Sequence, residues 1–151
     1  LNMALMDIER LDILASALPR LLNPGGVFVA TVLHPVFFTS NASRSISISF
    51  DTETGEQVTT RSKIITEYLD VAPSKGIACP NQLVKQIYYH RPIHELLSVF
   101  LKDGKLVMDA IEEPAFTEDD FDDKRVESST NFTQLPAILA FRLKHRVDKF
   151  E

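Results

Sequence analysis

The chain has 151 residues, a formal net charge of −5 and 44% hydrophobic residues. That length suits one domain with a real core, and the acidic balance offers no basic patch for nucleic acid. No apolar run approaches a membrane span, no charged-then-apolar leader pattern opens the chain, and the single Cys79 allows no internal disulfide. A lone cysteine fits a reducing compartment, so a cytoplasmic location is expected.

Asn2-Met3-Ala4-Leu5-Met6-Asp7 reads as the opening of an amphipathic helix. Ile8, Leu11, Ala15, Leu18 and Leu22 recur at three- and four-residue steps, with Leu14 and Leu21 beside them. Asp7 is the expected N-cap, because its carboxylate can accept from free amides of the first turn. Pro19 removes one backbone donor and should kink the last turn. Pro24-Gly25-Gly26 ends the helix and turns the chain. Val27 to Leu33 then shows no polar alternation. Such a strand is expected to be buried on both faces, in a parallel sheet with helices on each side. His34 precedes Pro35 and should be extended at the strand's carboxyl end, where open α/β sheets place their ligands.

The section 36–85 has a different character, and polar residues crowd 39–49. Ile46, Ile48 and Phe50 alternate with Ser45, Ser47 and Ser49, as in a half-buried strand. Asp51 to Gly55 reads as a turn and Gln57 to Thr66 as the returning strand of a hairpin. Pro73, Gly76 and Pro80 then break the chain repeatedly. A second helix starts at Pro92, with Ile93, Leu96, Leu97, Phe100 and Leu101 on its core face, and Gly104 ends it. Leu106 to Ile111 follows as a strand. Glu118 to Asp123 reads as a solvated acidic loop, and Leu135 to Leu143 as the last strand, with Pro136 tolerable only near its start.

His90 and His94 lie four apart, a zinc-like spacing, but Pro92 places His90 ahead of the helix and no metal site is expected. Asn41-Ala42-Ser43 and Asn131-Phe132-Thr133 match the glycosylation sequon and read as chance.

Three groups of residues carry a resemblance. They are Asn2 to Asp7 followed by Leu21-Leu22-Asn23-Pro24-Gly25-Gly26 and Val32-Leu33-His34-Pro35, then Tyr88-Tyr89-His90-Arg91-Pro92 before a leucine-rich helix, then Glu112-Glu113-Pro114. In this order they resemble class I S-adenosylmethionine-dependent methyltransferases. The resemblance implies an α/β fold, a partial Rossmann-like sheet whose strands five, seven and six are flanked by helices, the seventh antiparallel between the others. It implies a single domain over 1–151 that corresponds to the C-terminal half of a methyltransferase domain. Residues 36–85 would be an insertion that either lids the acceptor or merely elaborates the surface.

The family's cofactor fingerprint, an acidic-x-Gly-x-Gly-x-Gly loop after a strand, does not occur in these residues. The reading is therefore a truncated or split enzyme, inactive as an isolated fragment, whose complete form transfers methyl from S-adenosylmethionine to an oxygen or nitrogen of a small molecule. Asn2, Met3, Met6 and Asp7 would border the cofactor by family position, or serve simply as strand-end and cap residues. His34 and His90 are the candidate bases, since an imidazole titrates near neutrality, roughly 6.5. Either equally fits as an anchor of loop backbone. Tyr68 and Tyr89 are candidate acceptor contacts, and so is Arg91, which equally fits a carboxylate partner. Two alternatives stand beside this reading. One is a non-catalytic interaction module that pairs through an exposed sheet edge with an N-terminal half or a second copy. The other, weaker, is a hydrolase using His34 and His90.

Overall fold

The computed structural model describes residues 1–38, 42–79 and 81–147. Thr39 and Ser40 of the polar run, Asn41 of the first sequon and Pro80 lie outside the described residues.

The central sheet has three strands: β1 (Val27–Leu33), β6 (Leu106–Glu112) and β7 (Ile138–His145). The last strand lies in the middle and runs antiparallel to both neighbours, with Ala30 opposite Phe141 on one side and Ile111 opposite Phe141 on the other. This is the order and direction that the resemblance implied. The parallel sheet expected for Val27 to Leu33 from its uniform apolar composition is corrected, since the strand partner of β1 runs antiparallel. At the free side of β1, Asn2 forms a parallel bridge to Thr31. The Met3 N–H donates to the Thr31 carbonyl at 2.9 Å, and the Thr31 N–H donates to the Leu1 carbonyl at 3.0 Å.

Two helices, α1 (Leu11–Leu21) and α2 (Ile93–Leu101), pack together on one face of the sheet. Leu11, Ala15 and Leu18 of α1 meet Leu96, Leu97 and Phe100 of α2 in one cluster with Ala30, Val32, Leu139, Phe141 and Leu143. Alternate residues of β1 and β7 enter it, as a pleated strand requires. The Phe100 ring sits 5.9 Å from Phe28 and 6.2 Å from Phe141.

Two further expectations need correction. The first strand is not buried on both faces: Val27 and Val29 are 48% and 51% exposed. Uniform apolar composition could not reveal this, because it is the missing cover on one face, not the residues, that leaves them exposed. Nor does the first helix begin at residue 2 with Asp7 as its cap. Leu5–Asp7 is a single 3-10 turn, Met3 has φ +52°, and α1 starts only at Leu11, preceded by Arg10 with no side-chain cap. The carbonyls of Ile8 and Glu9, which a longer helix would direct to its next turn, accept instead from the Arg91 guanidinium at 2.6 and 2.7 Å.

The expected hairpin is present, with β2 (Ser43–Phe50) paired to β3 (Gln57–Ile64) from Ser43↔Ile64 to Phe50↔Gln57. Asp51 builds its turn. One carboxylate oxygen accepts from the amides of Glu53 and Thr54, and Gly55 takes φ +73°. A three-residue ribbon, β4 (Ser74–Gly76) against β5 (Gln86–Tyr88), follows where only chain breaks were expected.

Phe141 is 2% exposed and contributes to the cluster from the central strand. Phe141→Ala is expected to lower unfolding free energy by about 3–5 kcal/mol in urea titrations, the range for emptying an aromatic core site.

Candidate functional site

A cleft of about 440 Å³ opens at the carboxyl end of β1. Leu33, His34 and Pro35 form its floor, Leu5 and Met6 one wall, and Ser74–Gly76 with Tyr88–Arg91 the other. It thus gathers Met6, His34, Tyr89, His90 and Arg91 from the sequence-derived candidates. Asn2, Met3, Asp7 and Tyr68 stand outside the lining. None of the β2–β3 hairpin lines it either; the parts of 36–85 that do are Phe38 and the β4 strand.

Arg91 joins the two walls. Its guanidinium donates to the carbonyls of Ile8 and Glu9, and more distantly to those of Leu5 and Tyr89 at 3.4 Å. Burial lowers its pKa from the ordinary guanidinium value. The Tyr89 N–H adds a 2.7 Å bond to the Met6 carbonyl. With its donors on backbone, Arg91 acts as a structural tie across the cleft.

The two histidines differ. His34 is 1% exposed and both ring nitrogens are engaged. Nδ1 accepts from the Val36 N–H at 3.3 Å, so Nε2 carries the hydrogen and donates to Glu113 Oε1 at 2.8 Å. Glu113, quoted in the sequence only as part of a motif, therefore fixes the tautomer of His34. His90 is half-buried, and its Nε2 meets the Tyr68 carbonyl at 2.6 Å. A carbonyl only accepts, so Nε2 is again a protonated nitrogen, and in the neutral imidazole Nδ1 is the acceptor. Tyr68 supports this arrangement twice more. Its ring meets the imidazole edge-on at 5.7 Å, and its hydroxyl accepts from the Ile93 N–H at 2.8 Å, at the start of α2.

Of the residues expected to border the cofactor, Met6 alone faces the cleft. The Asn2 side chain accepts from the Thr31 hydroxyl, and the Asp7 carboxylate accepts from Gln86 Nε2 at 2.9 Å. Met6 thus gives the cleft an apolar surface, while Asn2 and Asp7 have part of their polar side chains engaged elsewhere.

Sequence reasoning missed Lys75 and Tyr88. The Tyr88 phenol is held above its usual value, first by burial and then by the charges of Asp7 and Cys79. Its ring lies against Gly76, where an added Cβ would stand 2.5 Å from the ring. Gly76 was legible only as a chain break, because its close approach to Tyr88 depends on a pairing twelve residues away.

No family model matches the chain, and no curated protein matches it. Solved structures do, among them the following two. One is a candidate S-adenosylmethionine-dependent methyltransferase from Listeria monocytogenes, 18% identical, with a TM-score of 0.64 over 97% of this chain and 59% of the other. The second is an S-adenosylmethionine-dependent methyltransferase from Mesorhizobium loti, 21% identical, with a TM-score of 0.61 over 95% of this chain and 59% of the other. The chain has the fold of S-adenosylmethionine-dependent methyltransferases. It spans 59% of the length of each of these two structures.

Two substitutions probe the site's construction. Arg91→Met leaves several carbonyls without their donor and is expected to cost about 1–3 kcal/mol of stability in urea unfolding. Gly76→Ala forces the Tyr88 ring aside; a loss of about 1–3 kcal/mol and an altered tyrosine near-UV circular dichroism signal are expected.

Proposed function

We propose that this chain serves methyl transfer from S-adenosylmethionine to an oxygen or nitrogen of a small molecule bound in the cleft at the end of β1. The observation that carries the reading is the position of His90 in a cleft at the carboxyl end of a methyltransferase-type sheet, its Nε2–H held by the Tyr68 carbonyl. S-adenosylmethionine, when bound, supplies an electrophilic methyl group. Met6 would pack against the cofactor, while Asn2, Met3 and Asp7 hold the strand end and turn that carry it. Tyr89 lines the cleft as an acceptor contact. His90 takes the acceptor's proton at Nδ1. Tyr68 positions His90 instead of touching substrate. His34 and Arg91 shape the floor and the walls, because their polar atoms are already engaged. These residues form one wall of the cofactor's surroundings.

A second reading, a binding module without catalysis, draws on the open face of the sheet. Val27, Val29 and Val107 are 48%, 51% and 41% exposed there. An apolar strand surface of this kind favours association.

Calorimetry and a methyl-transfer assay separate the two. The isolated chain is expected to bind S-adenosylmethionine more weakly than about 1 μM, a free energy smaller in magnitude than about 8 kcal/mol. Tighter binding would refute the one-walled site. In an active form, His90→Gln is expected to lower kcat about 100-fold or more, the scale of general-base loss. Unchanged turnover would remove His90 as the base.

A further inference from the structure

We infer that the cleft selects an anionic ligand, so that the methyl acceptor is a small molecule bearing a carboxylate or phosphate group. This rests on the methyl-transfer reading for the word acceptor, but the charge preference is a property of the cleft itself.

The chain as a whole is acidic, with 21 Asp and Glu against 16 Lys and Arg. The cleft reverses that balance. Lys75 and Arg91 line it as cations, His34 and His90 line it as neutral imidazoles, and no carboxylate side chain of a described residue does. Asp7 stands outside the lining and accepts from Gln86, and Glu113 lies behind His34 as its hydrogen-bond partner. Arg91 is engaged with backbone carbonyls. Lys75 is the cation left to meet a ligand: it is exposed and forms no ion pair with a described residue.

A second set of positive charges lies behind one lining residue. Lys63 Nζ is 4.3 Å from the ring centroid of Phe38, which lines the cleft, and 5.2 Å from that of Phe132. Arg44 is directly opposite Lys63 in the hairpin register. Like charges in that relation destabilise a strand pair. Arg61 shares the same face two residues away and sits 5.0 Å over the Phe121 ring, with its Nε buried and without a hydrogen-bond partner. Arg44 donates to the Glu127 carbonyl, not to a carboxylate. None of the three forms an ion pair with a described residue. The ammonium of Lys63 is correspondingly held below its usual value, by burial first and then by Arg44.

Aromatic rings account for part of this arrangement, since they attract cations. They do not account for gathering three cations without a described ion pair beside a cleft whose described lining holds no carboxylate, in an acidic chain. Such a field concentrates anions and orients them. A charged group of the ligand would meet Lys75 directly, while the hairpin cations add a positive potential from behind Phe38.

The test titrates the purified chain with benzoate, phenyl phosphate and neutral benzamide, followed by calorimetry or amide NMR. A charged probe is expected to bind at least about 10-fold more tightly than benzamide, equivalent to about 1.4 kcal/mol, with shifts at Lys75 and Tyr89. The preference should fall with added salt. Lys75→Met should remove most of it and Lys75→Arg should keep it. Lys63→Met, which preserves an apolar stem, should reduce it by a smaller factor. Equal binding of charged and neutral probes, or no binding of any, overturns the proposal. So does competitive displacement of benzoate by S-adenosylhomocysteine, which would assign the charge to the cofactor. The relative strength of benzoate and phenyl phosphate tells which anion is preferred. If the charge preference holds but no methyl transfer is found with any acceptor, the methyl-transfer reading fails and the anion site stands.

Discussion

The Arg91 guanidinium is the interaction on which the rest of the site depends. It reaches from the segment before α2 to the carbonyls that end the opening turn, so that two stretches 82 residues and more apart in sequence share one hydrogen-bonded junction. A planar fork of donors suits this task, because several carbonyls can be met at once without a compensating anion. By taking the carbonyls of Ile8 and Glu9 it stops α1 from extending backward, and the freed residues form a cleft wall. Met6 and Tyr89 face the same space because of that junction and the 2.7 Å bond beside it.

Much of the fold could be read from the sequence, for identifiable physical reasons. The core faces of both helices follow from apolar spacing, and Leu11, Ala15, Leu18, Leu96, Leu97 and Phe100 are buried as expected. The hairpin follows from alternation around a turn that Asp51 and Gly55 can build. The place of the last strand came from resemblance, since nothing local says that Ile138 to His145 must run between β1 and β6. What failed was decided by distant partners. Asp7 has the chemistry of a cap, but its carboxylate is taken by Gln86 and the helix starts elsewhere. Val27 and Val29 look buried by composition, yet exposure depends on what covers a sheet, which residue type does not report.

The candidate site shows the same division. His34, His90, Tyr89 and Arg91 line one cleft with Met6. Their chemistry could not be foreseen, because it turns on single hydrogen bonds. The Val36 amide and Glu113 occupy the two nitrogens of His34, whereas the Tyr68 carbonyl holds only one nitrogen of His90. Two residues of one type at comparable places thus acquire different capacities. Tyr68, read as a cover for substrate, does its work one layer back, on His90 and on the first turn of α2.

The strand order also governs how the molecule can be assembled. β1 and β6 are not hydrogen-bonded to each other; each forms its ladder with β7. Val27 must therefore wait for Lys144, more than a hundred residues later, before its side of the sheet can close. Contacts of such long sequence separation slow folding, because a large loop is closed before any gain is made. During synthesis, which runs from the N-terminus, the two helices and both outer strands precede the strand that joins them. Leu139, Phe141 and Leu143 then arrive together as the last fully buried residues. The sheet is thus closed only when the last strand is in place, and β1 and β6 share no ladder before it.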